Sequence, residues 1–382
     1  MKKILMVVST LNNGGAQKIM SNIMMSLPSD WTVDIILNDV EKIAYPYKGN
    51  IISLGLKSQL DKTKVWYQLK VFLKRMQVVH KYKKSGEYVA CLSALTSANA
   101  VNVLTGKKYC RCVLSEHNYM SDDVGNGLKK CLMTAAIRLL YNKADKVVAV
   151  SEGIAHNLIH QFKVKQDKVK TIYNGYVIDD IVRMSKEVLK DNEAAFFEDA
   201  SYTIITVGRL SRQKGQWHLI RALTKVKEKI PNIRLLILGE GELKNELQEM
   251  IEKCGLENHV FLCGFVDNPY KFMRNSAAFV LPSLYEGFGN VIVESFCCEV
   301  PCISTDFNVG AREIMAPDTN IMYRVQDSIE HVKYGILCPV CKGEEINKSI
   351  SLTREEHLLA DTLIELLKDE QLRLQYAQRG TL

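Results

Sequence analysis

The 382 residues predict an α/β protein built from two doubly wound parallel sheets that follow one another along the chain. Three observations carry this. Short apolar runs alternate with helix-like segments, the rhythm of βαβ units with helices on both sheet faces. That rhythm lapses once, around residues 176–200, and then restarts. At about 150 residues per domain, the length suits two or three domains, each able to bury a core.

KKILMVVS (2–9) reads as the first strand, followed by the loop LNNGG and a helical AQKIMSNIMMSL (16–27). WTVDIIL (31–37) is a second strand. YVACLSA (88–94), CRCVLSE (110–116) and KVVAVS (146–151) follow, each after a helix-like segment. The stretch around 176–200 is charged and weakly periodic, so a linker is expected over 179–200, after a first domain of residues 1–178. Strands resume at YTIITVG (202–208), RLLILGE (234–240), HVFLCGF (259–265), AAFVLPS (277–283) and PCISTD (301–306). They define a second domain over 201–365, with a last helical piece over 366–382. In such sheets, ligands bind beyond the carboxyl ends of the strands.

With 47% hydrophobic and 24% charged residues, the composition excludes disordered and fibrous classes. Eleven scattered cysteines, an odd number, fit reduced core thiols of the cytosol better than a disulfide frame. The pair Cys338-Pro-Val-Cys341 lacks two further ligands nearby and so does not read as a zinc site. Met1-Lys-Lys followed by ILMVVS is too short for a signal peptide, and the charge-free stretch 88–106 is too rich in Ser, Thr and Asn to span a bilayer. A cytoplasmic protein is expected. The net charge of +7 is uneven: residues 1–175 carry 26 Lys/Arg against 12 Asp/Glu, and residues 176–382 carry 24 against 31. A basic half beside an acidic half suggests an anionic partner, phospholipid or nucleic acid; a merely solvated face is the alternative.

Arg209 and Lys214 lie in TVGRLSRQKGQWHLIRAL (206–223), which reads as strand, loop and helix. Two cations on a loop at a strand's carboxyl end suit a diphosphate, Arg through its fork and Lys as a point charge. As a lone pair they also fit two solvated cations. LILGEGELKNELQEMI (236–251) repeats the layout with Gly239 and Gly241 at its turn, and GFVDN (264–268) follows a further strand. In LYEGFGNVIVE (284–294), Gly287 and Gly289 break any helix before Asn290. Glu286 then belongs to a loop and Glu294 to the helix that follows. The turn presents backbone N–H groups at a helix N-terminus, an anion site. The two carboxylates suit sugar and ribose hydroxyls flanking a phosphate. A surface acid plus a first-turn acid favoured by the helix dipole is the plainer alternative.

The ordered set GGA (14–16), VGRLSRQKG (207–215), ILGEGEL (237–243), GFVDN (264–268) and EGFGNVIVE (286–294) resembles retaining glycosyltransferases of family 4. The resemblance runs from residue 2 to about 315. It implies the GT-B fold, two Rossmann-like domains facing across a cleft, and a nucleotide-sugar donor. It makes Arg209 and Lys214 the diphosphate ligands, and Glu286 the acid near the donor sugar's hydroxyls. Phe288, Gly289 and Asn290 become the cradle around phosphate and sugar, and Glu294 the ribose ligand. Val266 falls in the base-contacting segment, and Gly14 and Gly15 in a loop that approaches the donor phosphate. His117, in SEHNYMSD (115–122), sits where the family often has a catalytic-site histidine. The catalytic set is thus His117, Glu286, Arg209 and Lys214. Ser151, Glu152 and Asn174 match cleft and hinge positions.

No Asp-x-Asp metal clamp and no obvious nucleophile is present in the sequence. The resemblance therefore implies a metal-independent, retaining transfer with no cofactor beyond the nucleotide sugar. The donor is expected to be UDP-linked, on frequency, as a UDP-hexose or UDP-HexNAc. The basic segment 62–84, with Trp66, Phe72 and Val78 among lysines, suits an amphipathic helix on an anionic membrane, or equally a helix packed on the first sheet. A saccharide or polyprenyl-diphosphate-linked acceptor in capsule, O-antigen or exopolysaccharide assembly follows, with peripheral contact at the membrane's inner face and no nucleic acid.

Residues 316–333 read as an insertion, and the chain stops soon after LADTLIELLKDEQLRLQYA, so the family's crossover helix is expected to be truncated. A GT-B nucleotide-sugar epimerase and a noncatalytic partner subunit are the alternatives. A dehydrogenase is disfavoured, because the first turn reads LNNGGA and not GxGxxG.

Overall fold

A computed structural model describes residues 2–12, 14–41, 43–56, 65–123, 127–342 and 351–380. The chain forms two compact units, Met1–Tyr176 and Val177–Leu382.

The first unit runs β1 (Lys2–Val7), α1 (Gly15–Met25), β2 (Trp31–Leu37), β3 (Asn50–Ser53), α2 (Val65–Lys84), β4 (Ala90–Ala94), α3 (Thr96–Leu104), β5 (Arg111–Glu116), α4 (Met120–Asp123), α5 (Gly127–Tyr141), β6 (Lys146–Ala149), α6 (Glu152–His160) and β7 (Val169–Thr171). Its sheet has the order β3-β2-β1-β4-β5-β6-β7, all parallel. Strand β1 is apolar because both of its faces are covered, as parallel sheets require. Leu5 and Val7 join one core with Ile36, Val79 and Val101, while Met6 and Val8 join another with Met20, Met24 and Ile35. Ser151 caps α6 by accepting the Ile154 N–H at 3.1 Å, which gives that residue a structural role.

The second unit runs α7 (Ile178–Ser185), α8 (Asp191–Ala194), β8 (Tyr202–Val207), α9 (Gln216–Lys229), β9 (Ile233–Leu238), α10 (Lys244–Lys253), β10 (Val260–Gly264), α11 (Pro269–Arg274), β11 (Ala278–Leu281), α12 (Asn290–Cys297), β12 (Cys302–Thr305), α13 (Ala311–Met315), β13 (Glu330–Val332), β14 (Gly335–Cys338), α14 (Arg354–Lys368) and α15 (Glu370–Arg379). The sheet order is β10-β9-β8-β11-β12-β14-β13, parallel except for the β13–β14 pair. The segment expected to be a linker carries two helices and packs on this unit. Asn268 Nδ2 donates to Met184 O at 2.8 Å, and Lys271 pairs with Glu193 at 2.5 Å. Ile181 is buried from the short helix α7, while Ile178 and Val188 stay exposed, a pattern too brief to stand out in the sequence. In α14, Thr353 and Glu356 close a capping box, and the helix packs on α9.

All eleven cysteines are free thiols, and Cys338 and Cys341 are both buried. Burial pushes the Cys338 thiol up to about 12, which keeps it protonated and inert.

Candidate active site

The order of the second sheet decides which loops meet. Strands β8 and β11 are neighbours although α9, β9, α10, β10 and α11 lie between them in the chain, so the loops leaving their carboxyl ends run side by side at the switch point. The first holds Arg209 and Lys214, and the second holds Glu286.

Lys214 ends a one-turn helix, Arg212–Lys214, that Gly215 terminates in the left-handed region at φ 60°. There an added Cβ would lie 2.3 Å from Pro282 O, so the loop after β8 rests directly on the loop after β11. Lys214 Nζ lies 2.6 Å from Glu286 Oε1. Ser283 Oγ donates to the same oxygen at 2.7 Å, and Gln213 Nε2 donates to Oε2 at 3.1 Å. The glutamate is therefore fixed by three donors before any ligand arrives. Arg209 is exposed, and its guanidinium has no hydrogen-bond partner among the described residues. Its backbone is anchored instead, with the carbonyl accepting Gln216 Nε2 at 2.9 Å.

Beyond Glu286 the chain turns at Gly289, φ 93°, which stands at the N-cap of α12. Phe288 is buried and Asn290 opens the helix. Glu294, buried, lies one turn further in. Opposite the turn stands Gly310, also left-handed at φ 97°, where a Cβ would sit 1.8 Å from Phe288 O. Only glycine fits there. Along the same edge, Gly239 donates its N–H to Gly264 O at 2.7 Å, and Val266 sits half-buried in the loop after β10. Asn268 of that loop caps α11 through the Tyr270 N–H at 3.1 Å. Thus Lys214 and Glu286 touch, the residues 288–294 share one turn and helix, and Val266 stands two strands away.

In the first unit, Gly14 and Gly15 open α1, with the Gly14 N–H donating to Tyr45 Oη at 3.2 Å. His117 follows β5 and is buried, its Nε2 2.9 Å from Ser115 Oγ. Burial pushes its pKa down to about 4, so the imidazole is neutral at neutral pH. Beneath it, the fully buried Glu116 accepts the His117 and Asn118 N–H groups at 3.1 and 3.2 Å through Oε1, and Tyr141 Oη at 2.6 Å through Oε2. Asn174 is buried as well, and Glu152 lies exposed in the first turn of α6.

Sequence reasoning missed Gln213, Ser283 and Glu116. The polar Ser283 ending an otherwise apolar strand run was the one signal available.

Two doubly wound units in succession, each a parallel sheet with helices between its strands, have the architecture of the GT-B class. Residues 185–350 match the profile described as glycosyl transferases group 1, and residues 54–180 match that of glycosyltransferase family 4. The chain is 31% identical over 331 residues to the N-acetylgalactosamine-N,N'-diacetylbacillosaminyl-diphospho-undecaprenol 4-alpha-N-acetylgalactosaminyltransferase of Campylobacter jejuni, spanning 83% of this chain and 84% of that one. It is 38% identical over 268 residues to an uncharacterized glycosyltransferase of Methanocaldococcus jannaschii, spanning 69% of this chain and 66% of the relative. The crystal structure of Anabaena HepE in complex with UDP shares the fold, with a TM-score of 0.71 at 20% identity over 100% of this chain and 94% of that one. The chain belongs to glycosyltransferase family 4.

Proposed function

We propose that the chain is a retaining glycosyltransferase that moves a sugar from a UDP-linked donor to a saccharide carried on a polyprenyl diphosphate, in capsule, O-antigen or exopolysaccharide assembly. The observation that carries the donor half is the Lys214–Glu286 contact at the switch point. A carboxylate alone would repel a diphosphate. Paired with Lys214, it can face sugar hydroxyls while the lysine faces phosphate. The acceptor half rests on the Campylobacter relative, whose name carries a diphospho-undecaprenol acceptor.

In this reading Arg209, Lys214 and the N-terminus of α12 meet the charge that grows on the leaving diphosphate, with no divalent ion required. Glu286 accepts from the sugar hydroxyls, and Glu294 from the ribose. Phe288, Gly289 and Asn290 line the phosphate and sugar. Val266 borders the base, and Gly14 and Gly15 approach the phosphate. His117, neutral, hydrogen-bonds the donor sugar. As the anomeric carbon leaves the phosphate oxygen, that oxygen takes the proton of the acceptor hydroxyl attacking from the same face, and configuration is retained.

The assay is nucleoside diphosphate release from a panel of nucleotide sugars, with and without lipid-linked acceptor and EDTA, and NMR of the product's anomeric centre. Acceptor-dependent UDP release that survives EDTA and keeps the donor's configuration is expected. Silence with every donor, inversion, or loss on chelation overturns the corresponding part.

Membrane contact belongs to the same proposal. No described helix is long and apolar enough to cross a bilayer. Helix α2 turns Phe72 and Val78 toward the core but leaves Trp66 82% exposed, with Leu69 and Leu73 outside as well. Lys70, Lys74, Lys81 and Lys84 flank them, and the helix holds no acid. Residues 62–64 of the basic segment lie outside the described residues. Helix α5, also free of acids, exposes Leu132, Met133 and Leu139, and both helices pack on α3. Cations beside exposed apolar residues fit an anionic bilayer. Cosedimentation with vesicles containing phosphatidylglycerol, but not with phosphatidylcholine alone, is the expected result, with about tenfold weaker binding for Trp66→Ser plus Leu73→Ser. Equal binding by that variant removes the membrane from the proposal.

A further inference from the structure

Four residues of the segment 316–333, Thr319, Arg324, Val325 and Glu330, reach back to residues 306–312. Arg312 on α13 is the hub, fully buried. Its Nε and Nη2 hold Asp306 Oδ2 at 3.1 and 2.7 Å, and Nη2 also holds Glu330 Oε2 at 2.6 Å. From the insertion, the Val325 N–H donates to Asp306 Oδ2 at 2.9 Å, and Thr319 Oγ1 accepts Arg312 Nη1 at 3.3 Å. Arg324 donates to the Asn308 carbonyl. Residues 306–312 are thus gripped from one side at both ends and in the middle.

Their other side is the donor cradle. Gly310 lies directly on the Phe288 carbonyl, and a Cβ on Gly289 would meet Phe307 Cζ at 3.1 Å. The Gly-Phe-Gly turn is too short to hold its own shape, since two of its three residues are glycines with no side chain to pack. Whatever fixes 306–310 fixes the turn.

We propose that the insertion is the brace of the donor cradle and that Glu330 is a positioning residue, acting through Arg312 and Asp306 on residues 286–292. This rests on the donor reading above for its meaning, but not for its test. Glu330 is the place to probe, because its side chain is one-third exposed, so its neutral form leaves no buried hole.

The experiment is amide hydrogen exchange on the free protein, beside UDP titration by calorimetry. Glu330→Gln is expected to speed exchange in 286–292 about tenfold, leave β8 unchanged, and weaken UDP binding about three- to tenfold. Asp318→Asn, which breaks the exposed Lys333–Asp318 pair of the same insertion, is expected to change neither. In an Arg312→Lys background, the Glu330→Gln effect shrinks. Unchanged exchange in 286–292, or faster exchange everywhere alike, overturns the brace. A wild-type chain that binds no nucleoside diphosphate overturns the donor reading instead, and the exchange result still decides the brace.

Discussion

In the second unit the buried Arg312 lies against Asp306 and Glu330; in the first, Arg75, 3% exposed, lies against Asn38 at 2.7 Å, Ser97 at 3.0 Å and Ser9 at 3.3 Å. Burial works against both charges. It pushes Arg75 down to about 10, whereas Glu330 and Asp306 overcome it at Arg312 and raise that group. The contrast extends further. Lys271 meets Glu193, and Arg221 and His218 meet Glu356, in the second unit. Lys83 meets the backbone and side-chain oxygens of Asn102 in the first. Lys3–Asp34, at 3.0 Å, is an exception there. Neutral oxygens satisfy a cation's hydrogens but not its charge, so the first half carries more uncompensated positive potential than its ion pairs suggest.

Four experiments break or sharpen this contrast. The largest effect is expected at the two cations of the proposed donor site. Arg209→Ala with Lys214→Ala should cut turnover about 10³-fold or more, judged on removal of donors to a developing anion. Where paired charges serve the fold, Arg312→Met should leave Asp306 buried and uncompensated and cost about 3–5 kcal/mol in urea unfolding. His117 tests the first half by pH. Its folded pKa lies below the unfolded value, so its contribution is whole above about pH 6.5 and is lost as pH falls toward 4. The loss approaches about 3 kcal/mol at 1.36 kcal/mol per unit. His117→Gln should flatten the slope of urea midpoint against pH in that window. Smallest is Arg75→Met, which strands only neutral oxygens and should cost about 1–3 kcal/mol. If Arg75→Met costs as much as Arg312→Met, the distinction between charged and neutral partners carries no energetic weight.

The parallel core was plain in the sequence, because strands buried on both faces are continuous apolar runs such as ILMVV and RLLIL. Asn50–Ser53 and Val169–Thr171 were not, being edge strands of four and three residues with mixed character. The candidate site's charged and glycine residues stand out in the sequence as ordered motifs, because they cluster in the short loops between apolar runs. The supports do not. Gln213 reaches Glu286 through a fold-dependent crossing, and Glu330 meets Arg312 across 18 residues of chain. No periodicity links such partners. Only the sheet order brings them together.

Strand β13 has one further consequence. A parallel sheet that ended at β14 would offer a row of open backbone groups to any passing chain. The segment 316–333 lays across that row an antiparallel strand of three residues, Glu330, His331 and Val332, followed at once by Lys333. Short and charged, it is a poor template for a neighbouring molecule, so the segment that steadies the turn also guards the border of its sheet against aggregation.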